Sequence, residues 1–166
     1  MRRRPFLSAV CAASLLLWPA MGVAAQKPAP PKDPSARVPV YVTAVNPEGT
    51  APEFTQPGTD GKEVADSVTD IQAAFAAVKT RWTRLVTDRA DAVIVVGVTR
   101  RTYDDGPEIM SVYTDVSIGA YTFPITGAGD PWRDAARSVV RQLDAWVAVN
   151  YPKLRERTAD PASGRE

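Results

Sequence analysis

The sequence predicts an α+β domain, a two-layer sandwich in which two helices pack on one face of a mixed sheet of four to five strands. Val38, Val40 and Val42 alternate with other residues, as in a half-buried strand. Apolar residues recur at helical spacing in segments 64–82 and 132–147. Strand patterns lie between these segments, and one shared sheet face is the simplest place to bury both apolar stripes.

The first 25 residues have the three parts of a secretory signal peptide. Arg2, Arg3 and Arg4 precede an uncharged, largely apolar stretch, and small residues end it, which predicts cleavage after Ala25. Two alternatives stay open. The uncharged stretch is about long enough to remain as a membrane anchor, and Cys11 could carry a lipid, although Val10 stands where a small residue is expected.

The leader also accounts for the slight basic balance of the chain. All 166 residues include 20 Lys and Arg against 19 Asp and Glu, and the leader removes three Arg and no acid. The remaining 17 basic and 19 acidic residues give a net charge of −2. Such a balance argues against nucleic acid as a partner and against a membrane surface once the leader is gone. We therefore expect a periplasmic or secreted domain, or a tethered one if the leader is retained.

Two residue types exclude much chemistry by their scarcity. The chain has no His, and its one Cys is Cys11 in the leader. Without them, Ser-His-Asp and Cys-His catalysis, thiolate metal sites and disulfides are not available to the mature domain. The sequence predicts no catalytic residue, no cofactor and no metal.

The predicted domain covers residues 37–151, after a Pro-rich linker over 26–36 that we expect to be extended and solvated. A first strand spans 37–44, with Pro39 either at a sheet edge or ahead of the paired region. A long loop over 45–63 contains Phe54, which is either an exposed contact or an anchor on the core. A helix then spans 64–82, with its start displaced toward Lys62.

The second half reads as strands followed by a helix. Leu85-Val86 is a short apolar pair, and the continuous run Val93-Ile94-Val95-Val96 predicts a central strand within 92–102. Such a run is covered on both faces, or by helices on one face and a partner on the other. An alternating strand over 108–118 turns at Gly119-Ala120 into an edge strand containing Pro124.

The second helix is predicted to begin with Asp130 as N-cap and Pro131 as its first residue. Asn150-Tyr151-Pro152 is expected to end it, because proline cannot donate to a helical hydrogen bond. Residues 152–166 are polar and predict a disordered tail.

In order and pattern of elements, residues 38–150 resemble a group of exported α/β domains. The matching pieces are Val-Pro-Val-Tyr-Val-Thr-Ala, a helix, the short Leu85-Val86, the strand introduced by Ala90-Asp91, a hairpin and a closing helix. The group includes the curli-secretion lipoprotein CsgG, the penicillin-binding-protein activator lipoproteins and the N-terminal domain of TolB. The resemblance carries over no functional residue and implies a non-enzymatic role at the cell envelope through protein contacts.

Few side-chain groups merit consideration as sites. Gly127-Ala128-Gly129-Asp130 lacks the spacing of a phosphate loop, and helix entry explains it better. Asp104, Asp105 and Glu108 do not match a calcium loop and read as a solvated turn. Asp88 with Asp91 reads as a capped turn rather than an acid–base pair. We interpret Trp82, Trp132 and Trp146 as core residues.

The sequence therefore predicts an exported, non-catalytic domain that binds a protein or takes part in envelope assembly. Candidate interaction residues are Phe54, Arg100, Arg101, Asp104 and Asp105. A small-ligand pocket under the 45–63 loop and a hydrolase that uses two carboxylates are the alternatives.

Overall fold

Within the part of the chain that the structure describes, the protein folds into five strands and two helices, with two short 3-10 turns. The structure, a computed structural model, describes residues 28–45, 61–104 and 108–159. The predicted leader, Phe54 and Asp105 lie outside the described residues. In chain order the strands and helices are β1 (Val38–Ala44), α1 (Gly61–Ala77), β2 (Thr83–Leu85), β3 (Ile94–Asp104), β4 (Ile109–Ile118), β5 (Tyr121–Gly129) and α2 (Trp132–Ala159).

The strands form one mixed sheet in the order β2-β1-β3-β4-β5. β1 pairs in parallel with both β2 and β3, whereas β3, β4 and β5 are antiparallel neighbours. A crossover containing α1 therefore links the parallel strands, and hairpins link the others. This arrangement confirms the predicted α+β fold class and gives the sheet its fifth strand, since the Leu85 segment forms β2.

Both helices pack on the same face of this sheet. Ile71 and Phe75 of α1 and Val139 and Leu143 of α2 are buried, together with Ile94, Val96 and Val98 of β3. Burial of each such side chain contributes about 1.5–3 kcal/mol. The helix stripes and the strand alternation of the sequence thus meet in one core, as predicted.

The two prolines within strands occupy different places in the sheet. Pro124 lies in the edge strand β5, as predicted. Pro39 lies in β1, which is an interior strand, so the edge interpretation is wrong for it. Pro39 does lie ahead of the residues that pair with β3. That pairing begins at Val40, and the carbonyl of Pro39 accepts a hydrogen bond from Val93 N at 3.1 Å.

The hairpin turn at Gly119-Ala120 is also as predicted. Gly119 adopts φ 59°, a left-handed conformation that glycine tolerates without a Cβ clash. The preceding connection ends at Glu108, which has φ 52°.

The first helix starts near Lys62, as expected, but ends at Ala77 rather than Trp82. Thr80 Oγ1 donates to the carbonyl of Thr83 at 2.9 Å, and the N–H groups of Arg81, Trp82 and Thr83 turn toward a carboxylate on α2. These bonds replace the helical ones and send the chain into β2. Trp82 is nonetheless buried, so its interpretation as a core residue is confirmed.

The second helix differs from the prediction at both ends. β5 continues to Gly129, and the carbonyl of Pro131 accepts the first helical N–H group, from Asp134 at 2.7 Å, so the helix begins at Trp132. At the other end α2 continues through Pro152 to Ala159, so the predicted end and the tail boundary at residue 152 are wrong.

Tertiary contacts explain why α2 passes through the proline. Leu154 is buried in the core, and Tyr151 Oη donates to the carbonyl of Ala36 at 2.9 Å. The same bond fixes the end of the predicted linker, where Pro34–Ala36 forms a 3-10 turn capped by Asp33. Hydrogen bonds from Ser35 lower the pKa of Asp33. The linker is therefore docked on α2 at this end rather than extended.

Candidate functional site

The sheet face opposite the helices is the candidate functional site. Residues that alternate with the buried core positions point to this side, and four strands contribute to a shallow cavity of about 850 Å³. We call this surface the open face. Its cavity is lined by Thr43, Ala44, Val45, Arg89, Ala92, Val93, Val95, Gly97, Asp115, Ser117, Gly119 and Thr122.

The centre of the open face is apolar, although its rim is polar. Val93 and Val95 are only half-buried and line the cavity, and Val93 also packs against the core, so the run Val93–Val96 supplies Ile94 and Val96 to the core and Val95 to the open face. Ser117 and Thr122 share a hydrogen bond of 3.1 Å at the rim. An apolar centre with a polar rim is typical of surfaces that bind other proteins.

Gly97 makes room for the Val45 side chain at the edge of the cavity. A Cβ at this position would collide with the Val45 side chain, which lies over the strand. Val45 N donates to the carbonyl of Val98 at 2.8 Å and holds the chain there after β1 ends. Val45 itself is 40% exposed, so it presents an apolar side chain at the edge of the cavity.

A β-bulge at Thr99 decides which of the two neighbouring arginines faces the open side of the sheet. The register with β4 shifts between Val98 and Arg100, which moves Arg100 to the open face. There the Arg100 guanidinium lies 4.3 Å from the centre of the Tyr113 ring, a cation–π distance. Without the bulge, Arg100 would point to the helices, as regular alternation from Val98 requires.

Arg101 instead lies between the sheet and the helices. Its side chain is 15% exposed, with the guanidinium 4.4 Å from the Trp132 ring centre and 3.8 Å from Asp66 Oδ2. Burial raises the pKa of nearby Asp70. The positive charge of Arg101 acts to lower this pKa, and the negative charge of Asp66 acts to raise it further. The structure therefore does not bring Arg100 and Arg101 onto one interaction surface.

The other predicted groups are scattered. Asp104 is exposed at the end of β3. Asp88 caps the 3-10 turn Arg89–Asp91 by accepting from Ala90 N at 2.8 Å, which confirms the capped turn. Over residues 28–45, 61–104 and 108–159, no three metal-ligating side chains come together.

Trp82, Trp132 and Trp146 pack as core residues. Trp82 meets Tyr151 edge-on with ring centres 5.1 Å apart, and Trp146 stacks on Phe123 at 4.6 Å. Trp132 and Trp146 are half-buried against the core. These contacts confirm the prediction for all three tryptophans.

Sequence reasoning missed most of the open-face residues and one structural carboxylate. Asp144 on α2 accepts from Trp82 N, Thr83 N and Thr83 Oγ1 through Oδ1 at 2.9–3.0 Å, and from Arg81 N through Oδ2 at 3.1 Å. Its signal in the sequence was weak, because an acid beside an apolar stripe is ordinarily solvated. The run Val93–Val96 was the one signal for the open face.

Comparisons with known proteins add little to this geometry. No protein-family profile and no curated protein matches the chain. A structure of the hypothetical protein CT253 from Chlamydia trachomatis aligns with 72% of this chain and 98% of its own, at 8% identity and a TM-score of 0.34. A likeness this low supports no statement about function. None of the helices in the described part of the chain is long and apolar enough to cross a membrane.

Proposed function

We propose that the chain is an exported, non-catalytic domain that binds a partner protein through the open face of its sheet. The observation that carries the proposal is the half-buried apolar centre formed by Val93 and Val95 on the face that neither helix covers. The resemblance to exported envelope domains agrees with a role in contacts between envelope proteins.

The chemistry of the open face indicates what the partner presents. Val45, which packs over Gly97, and Val95 suit contact with an apolar side chain of the partner. Arg89 lines the same cavity and Arg100 lies farther along the face, whereas Asp115 is the one carboxylate among the described residues that line the cavity. We therefore infer a protein segment with an apolar anchor flanked by acidic residues, because opposite charges at a rim orient a complex.

A photo-reactive amino acid in place of Thr122 tests this proposal in the native host. Thr122 is exposed and lines the cavity, and Thr69 on α1 is an exposed threonine of the helix layer that serves as the matched control. We expect a discrete protein adduct from position 122 and none from position 69. Mass spectrometry then identifies the adduct.

Charge insertion provides the second arm of the same experiment. Ser117→Arg places a bulky charge on the open face, and Ser138→Arg places the same group on α2. The adduct should disappear with Ser117→Arg and persist with Ser138→Arg. Equal labelling from positions 122 and 69, or an adduct insensitive to Ser117→Arg, contradicts the proposal.

Export makes a separate prediction. Intact mass measurement of the protein fractionated from its native host should give a chain that begins at Gln26, released with the periplasmic or secreted fraction. A mass that includes residues 1–25 in the membrane fraction would establish an anchor instead. A lipid mass on Cys11 would establish a lipoprotein.

A further inference from the structure

A second cavity lies at the end of the sheet where the chain enters β1 and β2. It has a volume of about 400 Å³ and brings together Arg37 before β1, Arg84 of β2 and Arg155 of α2. These three arginines are far apart in the sequence and meet because β2 lies beside β1 and α2 passes through Pro152. We call this cavity the arginine cleft.

The arginine cleft has an excess of positive charge. Among the described residues Asp91 is the one acid in its lining, so three guanidinium groups and one carboxylate give this lining a net charge of +2. Arg37 and Arg84 take no part in the ion pairs of the described residues. This local charge contrasts with the net charge of −2 expected for the mature chain.

Two of the arginines are also incompletely hydrogen-bonded. The Nε atoms of Arg37 and Arg84 are buried, and neither has a hydrogen-bond partner in the described part of the chain. A buried donor without a partner is costly, which is why most buried polar groups in proteins are satisfied. The structure therefore leaves these two guanidinium groups, which line the cleft, short of acceptors.

The walls of the cleft are held in place and are partly apolar. The Tyr151 hydroxyl is occupied by the carbonyl of Ala36, and its ring packs on Trp82, so the turn, α2 and the start of β1 are tied together. Val38, Pro39 and Val93 also line the cleft. Apolar walls strengthen charge interactions by lowering the local dielectric constant.

We propose that the arginine cleft binds a small anionic ligand with a doubly charged oxyanion group, as in a phosphate monoester or a dicarboxylate. Guanidinium groups bind both through pairs of parallel N–H···O bonds. The cleft adjoins the open face and shares Ala92 and Val93 with it, but its three arginines line the cleft alone, and the proposal does not depend on the protein-binding function. It assigns Arg37 and Arg84 as the principal anion ligands and Arg155 as the third.

Titration of the purified protein with inorganic phosphate and with succinate tests the site, at constant ionic strength set with sodium chloride. We expect saturable binding by calorimetry and shifts of the arginine Nε–Hε NMR signals of Arg37 and Arg84. Saturation by phosphate alone identifies a phosphorylated ligand, by succinate alone a dicarboxylate, and by both the shared oxyanion chemistry. No saturation by either probe overturns the proposal.

Four variants locate the binding. Arg37→Gln and Arg84→Gln should each weaken binding at least about tenfold, because each removes a charged donor. Arg137→Gln, which alters an arginine paired with Asp134 on the surface of α2, should leave it unchanged. Arg84→Lys keeps the charge but loses the pair of parallel N–H donors, so this variant should bind the anion with intermediate affinity. Equal affinity in all four variants, with folding verified by circular dichroism, overturns the proposal.

Discussion

Asp144→Ala is expected to lower the free energy of unfolding by about 3 kcal/mol. The substitution removes the acceptor for three backbone N–H groups and for the hydroxyl of Thr83, which is fully buried. Hydrogen bonds to a charged group contribute about 1.5–3 kcal/mol each, and they do not add fully when they share one carboxylate. Chemical denaturation measures the loss.

Two companion variants separate the loss of these hydrogen bonds from the general effect of removing a charge. Asp144→Asn retains an oxygen for the Trp82 and Thr83 donors and should lose only about 1 kcal/mol. Asp134→Ala removes an acid from the same helix, where it pairs with Arg137 at 2.8 Å on the surface, and should lose less than about 1 kcal/mol. If Asp144→Ala lost no more than Asp134→Ala, the carboxylate would not be holding the start of β2.

The elements of this fold were predictable where periodicity and burial agree. Ile71 and Leu143 lie on apolar stripes, and Val40 and Val96 lie in strand patterns, because each had to face the same core. Two boundaries failed where a distant contact overrode a local preference. Bonds to Asp144 stop α1 before Trp82, and burial of Leu154 carries α2 through Pro152.

The candidate sites were less predictable than the core because they depend on register and on distant pairs. The bulge at Thr99 reverses the sides to which Arg100 and Arg101 point, and no glycine or proline marks it. The arginine cleft requires the parallel pairing of β1 with β2 and the extension of α2. In the sequence, Arg37, Arg84 and Arg155 lie on three segments that no local pattern connects.

The Gly127-Ala128-Gly129 segment shows how a motif can have a packing cause. The sequence suggested a phosphate loop or a helix entry, and the structure places these residues at the end of β5. A Cβ on Gly127 would collide with the carbonyl of Ala135, and one on Gly129 would lie 2.9 Å from Ala135 N. The two glycines therefore let the first turns of α2 lie directly against the strand.

Gly127→Ala is expected to cost about 2–3 kcal/mol of unfolding free energy, measured by denaturant titration. The added methyl group would lie 2.5 Å from Val139 Cγ2 and 2.9 Å from Val139 N, in addition to its collision with Ala135. Overpacking of a core by one or a few carbons costs about 1–3 kcal/mol, and here backbone atoms limit the relaxation. The helix must move as a unit to make room.

Ala128→Ser is the matched control, because Ala128 is exposed between the two glycines, and its effect should stay within about 0.5 kcal/mol. A double variant with Val139→Ala distinguishes the two sources of the clash. Since the Ala135 carbonyl belongs to the backbone, shortening Val139 should recover only part of the loss in a double-mutant cycle. Full recovery would show that a flexible side chain alone opposes the methyl group, and that α2 is free to lie farther from β5 than the structure places it.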